Sequence, residues 1–171
     1  PTLKDYPKKP LLAIDEAHAI GCLGPDGRGV AASQGVTPDI LMGTFGKAFG
    51  ASGAFVVAHQ DFLDLLINAG RAFIYTTAPS EPTVRMALNG IHILKTEGEA
   101  LRQQLAERTK QFRRGVADLG LTALGEAHIV PIVLHEQTMN VAEALLDMGV
   151  LATGIRYPTV AKGMERIRFT V

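Results

Sequence analysis

The chain has 171 residues, 47% of them hydrophobic, with 17 basic and 17 acidic side chains. This is enough apolar material for a core in one domain or one and a fraction, and the even charge balance argues against a nucleic-acid stripe or an acidic disordered tail. A lone cysteine, Cys22, excludes an internal disulfide framework and predicts a reducing, cytoplasmic setting, and no apolar run is long enough to span a membrane.

In chain order, residues 1–10 are polar, carry Lys4, Lys8 and Lys9, and lack the apolar centre of a signal peptide. The absence of an initiator Met predicts a fragment or a processed chain. Residues 11–14 are a short apolar run ending at Asp15, which predicts a buried strand with polar residues at its carboxyl end. Gly21, Gly24, Gly27 and Gly29 with Pro25 predict a loop. Residues 39–42 predict a second strand leading into Gly43-Thr44-Phe45-Gly46-Lys47, and 53–59 a third. Asp61 is the expected N-cap of a helix over 62–72, with Phe62, Leu65, Leu66 and Ala69 as its apolar stripe. Thr76 and Thr77 fall in a loop before Pro79, and Pro82 suits the first turn of a long helix through Met86, Gly90 and Leu94.

The character changes near residues 95–98. A charged amphipathic helix is expected over 100–119, with Leu101, Leu105, Phe112, Val116 and Leu119 on one side. A strand over 129–134, a helix over 139–148 and strands over 150–155 and 167–171 complete the pattern. Alternating strands and helices predict an α/β protein, with one domain over 1–96 and a small α/β domain over 97–171. In such folds ligands gather at the carboxyl ends of strands, where Asp15 and the turn 44–47 both fall.

Two chemistries compete for Asp15-Glu16-Ala17-His18. The string is the DEAH box of nucleic-acid helicases, whose acidic pair needs a G-x-x-x-x-G-K-[ST] phosphate loop earlier in the chain. The loop around Gly46-Lys47 has Leu41 where the first glycine belongs and Ala48 where Ser or Thr belongs, and it follows the acidic pair. The second chemistry joins Asp15, His18 and Lys47. A lysine amine forms a Schiff base with an aldehyde cofactor, and pyridoxal phosphate (PLP) also wants a carboxylate at its pyridine nitrogen. Asp15 suits that nitrogen, His18 the phenolic oxygen or the ring, and the Thr44 hydroxyl the phosphate. His59, His92, His128 and His135 lack ligand spacing, so no metal site is predicted.

Four ordered segments carry a more specific signal. Asp15-Glu16-Ala17-His18 with Gly21 and the Gly-Pro-Asp-Gly-Arg-Gly run from Gly24, then Gly43-Thr44-Phe45-Gly46-Lys47-Ala48-Phe49-Gly50, resemble the aspartate and lysine segments of the α-oxoamine synthase family. Phe73-Ile74-Tyr75-Thr76-Thr77 and Gly154-Ile155-Arg156-Tyr157-Pro158-Thr159-Val160, continuing through Gly163 to Arg168, resemble two further segments. The resemblance implies the C-terminal part of an aminotransferase-like (fold type I) PLP large domain, followed by a small C-terminal α/β domain. It implies that Lys47 holds the cofactor and takes the substrate α-proton, that Asp15 pairs with the pyridine nitrogen, that His18 contacts the phenolic oxygen, and that Thr44 binds the phosphate.

In a homodimer with shared sites, Thr76 and Thr77 would reach the phosphate of the neighbouring subunit's cofactor. Arg168 would hold the substrate carboxylate, with Arg156 and Thr159 on the substrate or acyl-CoA side. The implied reaction condenses an amino acid with an acyl-CoA, with loss of CoA and carbon dioxide. The Phe73 and Gly154 segments most resemble the branch that joins L-alanine to pimeloyl-CoA on the way to biotin. Only fourteen residues precede Asp15, so the resemblance also implies that the family's ring-stacking residue and leading strands are missing here, leaving sheet edges exposed. Another synthase of the family, or a non-catalytic module that dimerises or binds a full-length partner, is the alternative.

Overall fold

The computed structural model describes residues 10–171, so all but the last residue of the polar stretch 1–10 lies outside the described residues. The chain divides into two compact units, the first ending at Arg102 and the second running Gln103–Val171.

In the first unit the three apolar runs form one sheet: β1 (Ala13–Asp15), β2 (Ile40–Thr44) and β3 (Ala54–Ala58), in the order β1-β2-β3. β1 and β2 are parallel, with Asp15 opposite Met42; β3 returns antiparallel, with Thr44 opposite Ala54. Side chain and backbone extend the β1–β2 ladder at both ends. The Leu12 N–H donates to Asp39 Oδ2 at 2.9 Å, and the Glu16 N–H donates to the Met42 carbonyl at 2.8 Å.

The helices of this unit are α1 (Val30–Ser33), α2 (Gln60–Ala69), α3 (Arg71–Ile74) and α4 (Glu81–Thr96). The expected helix over 62–72 is corrected in three ways. His59, not Asp61, is the N-cap; its Nδ1 accepts the Asp61 N–H at 3.4 Å, while Asp61 sits in the first turn, where a carboxylate suits the helix dipole. Gly70, at ψ 94°, stops α2 before Arg71 starts α3. The inward face is Phe62, Leu63 and Leu66, whereas Leu65 is 58% exposed and Ala69 is exposed as well. α4 begins as expected, with Pro82 in its first turn.

The second unit takes residues 103–118 of α5 (Gly98–Asp118), then β4 (Ile129–Val133), α6 (Thr138–Asp147), β5 (Thr153–Ile155) and β6 (Arg166–Thr170). Its antiparallel sheet has the order β4-β6-β5. Val130 and Ile132 pair across from Phe169 and Ile167, so these four share a face. Phe112 of α5 meets Phe169 there, with ring centroids 5.1 Å apart. The inward stripe of α5 is Leu105, Thr109, Phe112 and Val116; the expected members Leu101 and Leu119 are exposed instead. β5 is shorter than expected because Val150 and Leu151 remain exposed outside the ladder. No helix among the described residues is long and apolar enough to cross a membrane.

Candidate active site

The site is built where β1 and β2 end side by side. Because these strands are parallel, their carboxyl ends open on the same edge. Asp15 is the last residue of β1, and Lys47 follows three residues after Thr44, the last of β2. An open cleft of about 640 Å³ is lined by Asp15, Glu16, His18 and Lys47 together with Val30, Ala31 and Gln34. Asp15, His18 and Lys47 are solvent-exposed, and the Lys47 ammonium makes no ion pair among the described residues. One Asp15 oxygen, Oδ1, accepts the Ala17 N–H at 2.8 Å, which fixes the carboxylate at the strand end.

The lysine turn is rigidly framed. The Phe45 N–H donates to the Gly53 carbonyl at 2.9 Å, the Ala51 N–H to the Phe45 carbonyl at 2.8 Å, and the Gly50 N–H to the Lys47 carbonyl at 3.0 Å. Phe45, Phe49 and Phe55 cluster with centroids 5.1 to 6.3 Å apart. Glycines let the neighbouring chain approach on both flanks. A Cβ on Gly21 would stand 2.7 Å from the Ala48 Cβ, and one on Gly90 in α4 would meet the Phe49 carbonyl oxygen.

Thr44 lies beside this turn but does not line the cleft. Its hydroxyl donates to the Gly53 carbonyl at 2.9 Å and accepts the Gly46 N–H at 3.1 Å. Thr76 and Thr77 follow α3 on an exposed segment, with the Thr76 hydroxyl donating to the Ala72 carbonyl. Arg156, Thr159 and Arg168 belong to the second unit. Arg168 sits mid-way along β6, the central strand, opposite Pro131 and Thr153. Its Nε is buried and has no hydrogen-bond partner among the described residues. Arg156 and Thr159 are exposed at the turn after β5, where the Thr159 N–H donates to the Arg156 carbonyl at 3.0 Å.

Sequence reasoning did not identify the part of the cleft lining that comes from the segment after the glycine loop. Val30, Ala31 and Gln34 follow the glycine loop, and no motif in the chain marks them as cleft residues. Cys22, between the Asp15–His18 segment and Val30 in sequence, is partly buried. Burial pushes its thiol pKa up, and the nearby Arg102 guanidinium opposes that rise.

An amine, a carboxylate and an imidazole converging on one cleft with apolar flanks form a donor set that fits PLP: a nucleophile for an aldehyde, an anion for a pyridinium and a partner for a phenolate. Residues 5–171 match the profile of the family described as "Aminotransferase class I and II". The chain is 42% identical over 167 residues to the 8-amino-7-oxononanoate synthase of Geobacter metallireducens, covering 94% of this chain and 43% of that protein. Among solved structures, it is similar to Sphingomonas wittichii serine palmitoyltransferase (TM-score 0.85, 26% identity, covering 94% of this chain and 42% of that one). It is also similar to the 8-amino-7-oxononanoate synthase of Francisella tularensis (TM-score 0.79, 27% identity, 93% and 48%). A high-resolution structure of SPT with its PLP internal aldimine superposes at a TM-score of 0.84, with 31% identity over 94% of this chain and 42% of that one. The chain spans less than half the length of the curated relatives it matches. The α/β fold is that of fold type I PLP enzymes, and the chain covers part of it.

Proposed function

Because this chain belongs to the aminotransferase class I and II family, we propose that it supplies the lysine-bearing part of a cytoplasmic, homodimeric PLP-dependent α-oxoamine synthase. The proposed reaction condenses L-alanine with pimeloyl-CoA, with loss of carbon dioxide, to give 8-amino-7-oxononanoate for biotin synthesis. The observation that carries this reading is the meeting of Asp15, His18 and Lys47 in one cleft at the ends of two parallel strands. The choice of substrates is supported by relatives named 8-amino-7-oxononanoate synthase at about 40% identity.

Bound in the cleft, PLP would supply an electron sink for the pair left behind when a proton leaves the amino-acid α-carbon. The chain's own residues do the rest. The Lys47 amine would hold the cofactor at its aldehyde carbon and would be the base for the substrate α-proton. Asp15, held by the Ala17 N–H, would pair with the pyridine nitrogen and keep it protonated. His18 would contact the phenolic oxygen. Thr44 would give its hydroxyl to the phosphate only by releasing one of its two turn hydrogen bonds, so its first contribution is to hold the Lys47 turn. Thr76 and Thr77 are assigned to the phosphate bound by the neighbouring subunit. Arg168 is assigned to the substrate carboxylate, supported by its unpartnered buried Nε, and Arg156 and Thr159 to the substrate or acyl-CoA side. Similarity to serine palmitoyltransferase supports a second choice of substrates within the same chemistry.

The test is to add PLP to the full chain and follow visible Schiff-base absorption, then supply alanine, serine or glycine with acyl-CoA esters. Wild type should develop the band and Lys47→Ala should lose it with an unchanged circular dichroism spectrum. A wild-type chain with no band sinks the reading; product from serine but not alanine moves it to the second choice.

A further inference from the structure

We propose that Glu16 is the positioning residue of the cleft, the side chain that ties the Asp15–His18 segment to the cleft wall at Val30 and Ala31. The proposal rests on the PLP reading of that cleft and gives a role to a residue which that chemistry leaves unused.

Glu16 is adjacent to Asp15 in sequence, yet it is 2% exposed while Asp15 and His18 face solvent. A buried carboxylate is costly unless its oxygens are occupied. Both are occupied by the same short piece of backbone: Oε2 accepts the Val30 N–H at 3.0 Å, and Oε1 accepts the Ala31 N–H at 2.6 Å. Val30 and Ala31 form the cleft wall. The main chain of Glu16 is tied as well, through the 2.8 Å bond to Met42 near the end of the strand that leads to Lys47. One residue therefore joins the Asp15–His18 segment, the wall and the lysine-bearing strand. The fit is close. A Cβ at Gly29, which stands at φ +94°, would lie 2.7 to 2.9 Å from the Glu16 carboxyl atoms, so only glycine lets this stretch of backbone come so near the carboxylate that holds it.

A residue that merely stabilised the fold would lower the melting temperature and leave the cleft's ligand chemistry alone. A positioning residue alters how the ring and Lys47 meet. Glu16→Gln has nearly the same size but turns one acceptor into a donor facing a backbone N–H. It is expected to weaken PLP binding about tenfold and to move the pH midpoint of the Schiff-base absorption. Ile132→Val, a core change in the second unit, serves as a control that lowers stability and should move neither quantity.

Three measurements on the full chain settle the matter: the PLP titration, the pH profile of the band, and amide hydrogen exchange at Val30 and Ala31 with and without PLP. Glu16→Gln should speed exchange at those two amides in the cofactor-free chain, and PLP should slow it in wild type. A Glu16→Gln chain that binds PLP within twofold of wild type with an unmoved pH midpoint overturns the proposal. If that variant does not fold, the wild-type exchange decides: amides at Val30 and Ala31 that PLP leaves unprotected overturn it. Absence of any wild-type band overturns the PLP reading and this proposal with it, whereas a wild-type band indifferent to Glu16 overturns this proposal alone.

Discussion

The two units bury different things. In the second unit, Val130, Thr138 and Ile167 are fully buried side chains, joined by Ile132 and Val116 and by the buried Thr109 and His128. In the first, the buried positions are mostly small or backbone-like: Ala19, Ala31, Ala87, Gly21, Gly27, Gly29, Gly43 and Gly90, together with the Glu16 carboxylate. Its large apolar side chains are often on the outside, with Val57 58% exposed on β3. The second unit is thus held by side-chain volume, and the first, around the cleft, by close backbone approach and directed hydrogen bonds. The contrast has a functional logic. A cleft that must hold a planar cofactor needs slim walls fixed from behind, and hydrogen bonds fix position with a directionality that apolar packing lacks.

Removing volume should hurt the second unit most. Ile167→Ala empties a site with no solvent access on β6, the central strand of its sheet, and a loss of about 2–5 kcal/mol is expected from burial and cavity effects together. Chemical denaturation measures it. A cost under about 1 kcal/mol would mean that this unit collapses readily around a void and would erase the distinction.

Adding volume should hurt the first unit. In a free helix Gly→Ala gains about 1 kcal/mol. At Gly90 the added methyl meets the Phe49 carbonyl oxygen, with the Phe49 Cα at 3.0 Å, and backbone cannot rotate aside as a side-chain tip can. The clash outweighs the propensity gain, so Gly90→Ala should cost about 1–3 kcal/mol. It should also weaken the Schiff-base band, because Phe49 lies two residues past Lys47. Gly115 on α5 is the matched control. Nothing stands within 4 Å of its added methyl, so Gly115→Ala should stabilise by about 0.5–1 kcal/mol. If both substitutions have the same sign in a melting experiment, crowding around the lysine turn is not what Gly90 is there to accommodate.

The sequence made the edge of the site legible and left its rear wall hidden. Asp15 and Lys47 could be placed because short apolar runs ending in polar residues mark strand ends, and parallel strands open their carboxyl ends on one side. The pairing of Glu16 with Val30 and Ala31 spans 14 and 15 residues and depends on how a glycine loop folds back. No periodicity records that. The miscast cap at Asp61 has a local cause: His59 also carries a short-range acceptor, and the helix begins two residues earlier than the aspartate suggests. The break at Gly70 was readable in principle, since glycine is a common stop, but the apolar residues that follow it masked the end. Val150 and Leu151 fall inside the strand expected over 150–155, yet 86% of Leu151 is exposed. Propensity cannot tell a residue inside a ladder from one just before it.

The smallest effect tests whether the first unit's interior is polar as well as slim. Cys22 sits among backbone groups, its N–H donating to the Ala19 carbonyl at 3.0 Å. Its thiol pKa is raised by burial and only partly restored by Arg102, whose guanidinium is itself largely covered and bonds Glu99 Oε2 at 3.0 Å. A thiol whose folded pKa exceeds its unfolded one keeps its proton where the unfolded chain has lost it. The resulting stabilisation is complete below the unfolded pKa and fades as pH rises through the folded one. Nothing changes near neutral pH, and the window lies on the alkaline side. Alkylation by iodoacetamide should therefore reach half its maximal rate at higher pH in the folded chain than in the chain unfolded by urea. Arg102→Met keeps the volume and removes the opposing charge, so it should move that midpoint further up. A downward move would mean that the Cys22 environment is governed by something other than burial against a nearby cation, and the first unit's interior would have to be redrawn around that group.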